Sequence, residues 1–524
     1  MQKVCLVAVL IFSFALPLTG AIRPWTKLSL DFAGPSTSET TSPNPFTDYR
    51  MDVVFTGPTG ATYRVPGYYA ADGKAAETSA TSGNVWRVNF TPDAPGKWTY
   101  AVSFVKGSMI AAEPTGGESA GYFDGARGKF RVKKPDGRRG KLVYTGAHYL
   151  QFAGNGKYFL KSGTNSPEVF LEYNGFDNTP SDRTYPEHLS DWQPGDLTWQ
   201  GGKGKGIVGA VNYLANQGVN AYYFLTMNAY GDGKKAWPWT HADSLLRYDC
   251  SKLAQWDLLF RYMNQKELVL DLVLTETENE VYFEERELGG PEGFARSRKI
   301  YFREMVARFG YLPAVTWNVG EENGWHKDLP YQTANTDRQR KDYADYLRQL
   351  LYYDDHVTIH NGPSWDKRIF APLYGHPSYT GPAFQWNLSK NIYREVYTLR
   401  AKSAAASHKW VVFFDEPYLG KPRADLDDWR VANVWPAFMA GGAGVALYMG
   451  GGKDIKEQDF RPYAAHYRTM TIARKFFTEH ISFAEMSPDS SFVEDAHTLR
   501  KGEATFLLYF PAYEGQDINL PPGK

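Results

Sequence analysis

Short runs in which apolar and polar residues alternate occupy the first quarter of the chain. Residues 85–90 (VWRVNF) and 98–104 (WTYAVSF) alternate with a period of two, and the turn residues PDAPG lie between them. Alternation interrupted by proline and glycine at this spacing is typical of antiparallel β-sandwiches. We therefore predict an immunoglobulin-like β-sandwich over residues 22–134, with its large aromatic side chains in the core.

A different pattern begins after the polar linker KKPDGRRG at residues 133–140. From residue 141 to residue 482, apolar runs alternate with amphipathic stretches, as in repeated βα units. Strands are predicted at residues 157–163, 220–225, 268–274, 314–319, 356–360, 384–387, 410–414 and 444–448. Helices are predicted at residues 206–217, 245–265, 296–309 and 337–351. Eight repeats predict an α/β fold, a (β/α)8 TIM barrel, as the main domain.

The two ends of the chain have patterns of their own. Residues 1–21 combine Lys3, an apolar stretch too short for a membrane span and the small residues TGA, which predicts a secretory signal peptide. From residue 483 to residue 524 a β pattern returns, including the run FLLYF. This C-terminal β segment either packs on the barrel or begins a third domain, a sandwich that continues beyond residue 524, and of the two we expect the third domain.

Composition excludes several classes of function. Lys+Arg 58 against Asp+Glu 58 gives no net charge, so we expect neither nucleic acid nor an anionic membrane as a partner. Apart from Cys5 in the signal peptide, the chain has only Cys250, which rules out an intrachain disulfide. No HExxH motif or paired Cys/His spacing is present, so no metal or cofactor is predicted. Together with the signal peptide, this predicts an exported protein, periplasmic or extracellular, that does not insert into a membrane.

Carboxylates follow two of the predicted barrel strands directly. The fourth strand runs into Glu321 and Glu322, and the seventh into Asp415 and Glu416. Catalytic groups of such barrels lie at the C-terminal ends of the strands, and glycoside hydrolysis needs two carboxyl groups that flank the scissile bond. Because neighbouring residues of a strand point to opposite faces, one acid of each pair is expected to be catalytic and the other to support it.

Further polar and aromatic residues of the strand ends and their loops are candidates for binding an oligo- or polysaccharide. An aromatic content of 15% also favours carbohydrate weakly, because sugar rings stack on aromatic rings. The candidate substrate-binding residues are Asn228, Asp232, Trp237, Glu276, Trp317, Asn318, Asn323, His360 and Gln385.

The fourth and seventh strand segments also carry a family resemblance. Residues 317–323 (WNVGEEN) resemble the strand-four signature of the clan A glycoside hydrolases, in which a tryptophan precedes the acid/base glutamate by five positions. That spacing selects Glu322, although Glu321 stands where the family usually has asparagine. Residues 410–416 (WVVFFDE) resemble the strand-seven segment that ends in the nucleophile, which corresponds to Glu416.

Over nearly the whole chain, the sequence resembles apiosidase-like barrel hydrolases that carry an N-terminal β-sandwich domain of unknown function. The matching stretches are NPFTDYR, FTP with GKW, GDGK, REMVARF and DFR, at residues 44–50, 90–92, 96–98, 231–234, 303–309 and 459–461. The resemblance implies a retaining hydrolase of a plant or algal polysaccharide, in which Glu416 attacks the anomeric carbon and Glu322 serves as acid and base.

Two other classes of function fit the same residues. A non-catalytic carbohydrate-binding surface protein would also place carboxylates and tryptophans around a barrel mouth. A polysaccharide lyase would need a tyrosine or histidine base and a group that neutralises charge. Substitution of the two carboxylates separates these classes from a hydrolase.

Overall fold

The computed structural model describes residues 22–231, 233–287, 293–324, 334–362, 366–387, 391–418, 425–450, 455–489, 491–493 and 495–512. The predicted signal peptide, the candidate residue Asp232 and residues 513–524 of the predicted C-terminal segment lie outside the described residues. Within this part of the chain, no helix has the length and apolar character needed to cross a membrane.

Two antiparallel sheets form the N-terminal part of the protein. One contains the strands Leu28–Ser38, Ser82–Phe90 and Tyr68–Tyr69. The other contains Thr62–Pro66, Tyr49–Thr56, Gly96–Lys106, Glu118–Ser119 and Arg127–Val132. Trp86 and Trp98 are buried between aromatic neighbours, as the alternating pattern predicts for core positions. The helix Ala75–Thr78 and the 3-10 helix Ile110–Ala112 connect strands of these sheets.

Eight parallel strands follow the short hairpin of Leu142–Val143 and Gln151–Phe152. They are β1 Lys161–Thr164, β2 Ala221–Leu225, β3 Val269–Val273, β4 Val315–Asn318, β5 Val357–Thr358, β6 Ala383–Asn387, β7 Phe413–Tyr418 and β8 Gly444–Leu447. The strands pair in chain order from β1 to β5 and from β6 to β8, and β8 pairs with β1. A parallel β-bridge between His360, just after β5, and Ala383 of β6 closes the barrel. The predicted fold class, a TIM barrel preceded by a β-sandwich, is confirmed.

Helices follow each barrel strand. They are α1 Lys205–Asn216, α2 Cys250–Gln265, α3 Arg296–Phe309, α4 Asp337–Leu350, α5 Asp366–Phe370, α6 Ile392–Ala405, α7 Trp435–Met439 and α8 Ala464–His480. Shorter helical segments are Pro186–Asp191, Thr277–Asn279, Glu284–Arg286, Ala371–Leu373, Leu426–Asp428, Trp429–Val434, Arg461–Tyr463 and Phe483–Glu485. The helix predicted from residue 245 begins at Cys250, because the Asp249 side chain caps it by accepting from the Lys252 amide at 2.8 Å.

The described part of the C-terminal β segment packs on the barrel. Its three antiparallel strands are Ser487–Pro488, His497–Lys501 and Thr505–Tyr509. Tyr509 stacks on Trp435 of α7 with ring centroids 5.4 Å apart, and His497 stacks on Tyr393 of α6 at 4.3 Å. These aromatic pairs hold the small sheet against two barrel helices.

Helix α3 joins the sandwich to the barrel. Arg303 donates to the carboxylate of Asp52 at 2.8 Å and to the carbonyl of Met51. One turn later, Arg308 donates to the carbonyl of Tyr69 at 3.0 Å. All of these groups are buried, so the sandwich is fixed to the outside of the barrel by charged hydrogen bonds as well as apolar packing.

Candidate active site

A β-bulge in β7 places Glu416 at the barrel mouth. Phe384 of β6 pairs with Phe414, whereas the next residue, Gln385, pairs with Glu416. Asp415 is therefore the extra residue of the bulge, which re-aims the side chains that follow it. The Asp415 carboxylate turns into the barrel, and that of Glu416 lies beside Gln385. The strand begins three residues later than predicted and carries both acids within it.

Gln385 connects the two predicted catalytic glutamates. Its Nε2 donates to Glu322 Oε1 at 2.8 Å and also to Glu416 Oε1. Because both oxygens are hydrogen-bonded to the same nitrogen, they lie no more than about 6 Å apart. Glu416 and Gln385 are buried, whereas Glu322 is partly exposed. The pair is therefore close together, with one member accessible from the mouth.

The side chains of Glu321 and Glu322 contact different neighbours. The alternation of side chains along a strand does not explain this by itself, because both residues lie beyond the end of β4. Both follow the last residue of β4, and Glu322 has a left-handed backbone with φ 38°. Glu322 bonds to Gln385 of β6, while Glu321 Oε1 accepts a hydrogen bond from the Tyr223 hydroxyl of β2 at 3.0 Å. Both acids thus belong to one cluster at the mouth and bond to different strands of the barrel.

The surroundings of the Glu321 carboxyl group favour its neutral form. Burial raises its pKa well above the ordinary value, and the charges of Glu416 and Glu276 raise it further. A hydrogen bond with Glu168 acts in the opposite direction. A neutral carboxylic acid next to the ionisable Glu416 limits the negative charge in this buried space.

His360, at the end of β5, lies between Glu321 and Glu416. Its Nδ1 shares a hydrogen bond of 2.7 Å with the Tyr223 hydroxyl, and its Nε2 is 3.3 Å from Glu416 Oε2. Burial lowers the pKa of His360 to about 3, so the ring is neutral at pH 7. The predicted histidine is thus adjacent to the carboxylate that the sequence selects as the nucleophile.

A charged layer lies beneath this cluster in the barrel interior. Lys161 of β1 contacts Asp271 of β3 at 2.6 Å and Asp415 of β7 at 2.5 Å, and all three side chains are buried. Burial alone would lower the pKa of Lys161, but the two carboxylates raise it above its ordinary value. Thr316 Oγ1 of β4 also donates to Asp271 at 2.6 Å. The ion pairs and the hydrogen bond of this layer connect β1, β3, β4 and β7 directly below the mouth.

Three other candidate residues shape the surroundings of the cluster. Glu276 is buried after β3 and accepts from Asn279 Nδ2 at 3.0 Å. The Asn318 side chain accepts from the Gly320 amide at 3.1 Å, within the turn that leads to Glu321. The backbone amide of Asn323 donates to the carbonyl of His360 at 2.8 Å, and its side chain accepts from Arg340 of α4.

The prediction that Trp317 contacts substrate is wrong. Thr316 points into the barrel towards Asp271, so its neighbour Trp317 points outward. Its side chain is 0% exposed, and its Nε1 donates to Asp355 at 3.3 Å. The tryptophan of the strand-four motif is therefore a packing residue between the barrel wall and its surrounding layer.

Asn228 and Trp237 belong to the packing of the loop after β2. The backbone amide of Asn228 donates to the carbonyl of Ala236 at 2.7 Å, and its side chain accepts from Lys234. The Trp237 ring is 7% exposed and lies against the Lys252 ammonium of α2, 5.5 Å from the ring centroid. No described contact joins either side chain to the carboxylate cluster.

Sequence reasoning missed several residues of this site. Tyr223 and Glu168 bond to Glu321, and Lys161 and Asp271 form the layer below. A lysine and an aspartate inside otherwise apolar strands were the available signal, because buried charges occur in pairs. Tyr223 gave no such signal, since tyrosine is common in strands.

Comparison with known proteins agrees with this architecture. Residues 21–105 match the profile of a domain of unknown function, DUF5060. A candidate glycoside hydrolase from Bacteroides vulgatus has a similar structure, with a TM-score of 0.55 and 16% identity, over 82% of this chain and 73% of that one. No match was found among the curated proteins.

Two weaker structural likenesses are to barrel enzymes. A family 5 mannosidase from Rhizomucor miehei aligns with a TM-score of 0.43 and 8% identity, over 65% of this chain and 100% of that one. An endo-β-1,4-mannanase from Thermotoga petrophila aligns with a TM-score of 0.40 and 11% identity, over 66% and 81%.

Proposed function

We propose that this protein is a glycoside hydrolase that cleaves O-glycosidic bonds in a plant or algal polysaccharide. The observation that carries the proposal is the hydrogen bonding of Glu322 and Glu416 to one amide nitrogen, that of Gln385, at the mouth of a TIM barrel. Two carboxyl groups on either side of a small gap are the common requirement of glycosidic bond cleavage.

The separation of the two glutamates favours retention of anomeric configuration. Retaining enzymes hold their carboxyl groups about 5–5.5 Å apart, whereas inverting enzymes need about 6.5–9.5 Å to admit water. The shared hydrogen-bond donor keeps the two oxygens within about 6 Å. Glu416 would attack the anomeric carbon, and Glu322 would protonate the leaving oxygen and later activate water.

The different environments of the two glutamates agree with these roles. Glu416 is buried and accepts a hydrogen bond from Gln385, which stabilises the anionic form that a nucleophile requires. Glu322 is partly exposed, so it can reach a leaving group that extends towards the solvent. Glu321 would support them as a neutral acid, and Asp415 would do so from the layer below.

We also propose that residues 1–21 direct export and are removed. The domains would then be residues 22–134, 141–482 and 483–524. Mass spectrometry of the secreted protein tests this, because cleavage after Ala21 should leave Ile22 as the first residue. A secreted product that still begins at Met1 would contradict it.

Separate Glu416→Gln and Glu322→Gln variants test the proposed catalytic roles. With a polysaccharide that the wild type hydrolyses, Glu416→Gln should lose at least about a thousandfold in kcat and still bind the sugar. Glu285→Gln, a change of an exposed acid, should behave as wild type. NMR of the first product should show the anomeric configuration of the substrate. Full turnover by both variants would exclude this mechanism.

Leaving-group dependence separates Glu322 from Glu321 as the acid. An enzyme without its general acid still cleaves aryl glycosides whose leaving group needs no proton. Glu322→Gln should therefore lose far more activity on a poor leaving group than on a good one. If Glu321→Gln has this property instead, the two roles are exchanged.

The same assays distinguish the two alternatives. Sugar binding without any turnover by the wild type would indicate a non-catalytic carbohydrate-binding protein. An unsaturated, ultraviolet-absorbing product would indicate a lyase. Burial raises the pKa of the Tyr223 hydroxyl well above its ordinary value, which disfavours the phenolate that a lyase would need as its base.

A further inference from the structure

Glu321, His360 and Glu416 lie within metal-ligand distance of one another. One nitrogen or oxygen of each residue lies within 4.8 Å of the other two. His360 Nε2 and Glu416 Oε2 are 3.3 Å apart. Two ligands that each bind a tetrahedral zinc ion at about 2.1 Å are themselves about 3.4 Å apart. The imidazole and the carboxylate therefore already have the separation of a ligand pair.

A buried nitrogen of His360 points into this cluster without a hydrogen-bond partner. His360 is 0% exposed, and its Nε2 makes no hydrogen bond with the described residues. The ring is neutral and carries one proton, and its Nδ1 is engaged by the Tyr223 hydroxyl. When that proton is on Nδ1, the lone pair of Nε2 faces an oxygen of Glu416. A cation between the two atoms would replace this repulsion by two attractions.

The charge of the cluster also favours a cation. Glu321 and Glu416 are both buried, and the charge of Glu416 disfavours ionisation of Glu321. A divalent ion would neutralise the charge of both carboxylates.

We propose that Glu321, His360 and Glu416 bind a divalent transition metal, and that zinc is the ion best matched to them. One imidazole and two carboxylate oxygens leave a fourth position for water or a sugar hydroxyl. Tyr223 would orient two ligands at once, because its hydroxyl bonds to His360 Nδ1 and to Glu321. Bound zinc would occupy Glu416 and compete with substrate, and only this consequence rests on the proposed function.

Calorimetric titration of zinc into the full chain at pH 7 tests the site. The titration should give saturable binding of one zinc per chain. His360→Gln and Glu321→Gln should each weaken binding at least tenfold, and Tyr223→Phe about tenfold. His376→Gln is a matched control. His376 Nε2 lies 3.6 Å from the carboxylate of Asp345 on α4, outside the proposed site, so this substitution should not affect zinc binding.

Cobalt provides a second measurement that needs no substitution. The wild type with cobalt(II) should give the visible spectrum of a four- or five-coordinate ion, which zinc then abolishes. No saturable zinc binding, or binding unchanged in both His360→Gln and Glu321→Gln, would overturn the proposal. Neither measurement uses glycosidase activity, so a failure here leaves the proposed hydrolase untouched, and the reverse also holds.

Discussion

Gln385 Nε2 donates to Glu322 Oε1 at 2.8 Å while it also donates to Glu416. One neutral amide on β6 thus links an acid that follows β4 to an acid on β7. A donor to a carboxylate stabilises the ionised form and lowers its pKa. Gln385 therefore influences both the position and the acidity of the two groups.

Gln385→Leu should lower kcat/KM about a hundredfold, because a hydrogen bond to a charged group contributes about 1.5–3 kcal/mol. Loss of the donor raises the pKa values of Glu416 and Glu322 together, so the whole pH profile of kcat/KM should move to higher pH. The measurement is the pH dependence of initial rates on the same substrate.

Gln349→Leu, an exposed substitution on α4, is the matched control and should leave the profile unchanged. A Gln385→Leu enzyme with lower activity but an unshifted profile would mean that Gln385 acts only on substrate. In that case it would not set the acidity of the carboxylates.

The barrel strands were predictable because a strand that is buried on both faces of its sheet appears in the sequence as a continuous apolar run. All eight barrel strands lie where apolar runs occur, and the acids of the site follow the fourth and seventh runs. The alternation of side chains between the two faces of a strand, however, holds only where the strand is regular. The bulge at Asp415 and the left-handed backbone of Glu322 break that rule, and neither has a residue-type signature such as glycine.

Contacts between distant strands were not predictable from one sequence. Gln385 was a candidate because it lies in the predicted sixth strand, but its two partners lie 63 and 31 residues away along the chain. Trp317 was wrongly predicted to bind substrate. The spacing of its motif indicates which glutamate is the acid, Glu322, but does not indicate the direction in which the Trp317 side chain points. Its 0% exposure follows from Thr316 facing the interior.

Lys161→Met should destabilise the barrel strongly. Lys161 is the cation between Asp271 and Asp415, at 2.6 and 2.5 Å, and its removal leaves two buried carboxylates facing each other. Removal of one partner from a buried ion pair costs about 3–5 kcal/mol. Urea unfolding followed by tryptophan fluorescence should show this loss. The triple variant with Asp271→Asn and Asp415→Asn should recover part of it, and no recovery would argue against charge as the cause.

Asp415→Asn should change how stability depends on pH. Burial, together with the charge of Asp271, raises the pKa of Asp415 to about 7. Between about pH 4 and pH 7, the folded state then holds a proton that the unfolded chain has lost. The stability that Asp415 contributes is therefore present at low pH and is lost as the pH rises towards 7, by up to about 1.4 kcal/mol per pH unit.

The asparagine variant does not titrate at this position. The free energy of unfolding of the wild type, minus that of Asp415→Asn, should therefore fall as the pH rises from about 4 to 7. Urea unfolding of both proteins across this range measures the difference. A difference that stays constant over the same interval would mean that the ion pair with Lys161 keeps Asp415 ionised throughout.

Asp52→Ala should weaken the attachment of the sandwich to the barrel. Asp52 is buried and accepts from Arg303 of α3 at 2.8 Å and from Arg64 at 2.9 Å, with Arg50 Nε at 3.3 Å. Its loss leaves buried guanidinium groups without their carboxylate, at a cost of about 3–5 kcal/mol. Arg64→Ala is the matched control, because that side chain is 54% exposed and an exposed ion pair contributes only about 0–1 kcal/mol.

Limited proteolysis and thermal unfolding distinguish loosening of the attachment from general destabilisation of the protein. If α3 and the sandwich unfold as one unit, Asp52→Ala should lower the midpoint of the first thermal unfolding transition. It should also make the linker at residues 133–140 accessible to protease. Arg64→Ala should change neither result. A lower midpoint without faster cleavage of the linker would mean that Asp52 stabilises the sandwich sheet itself and that apolar packing alone holds the two parts together.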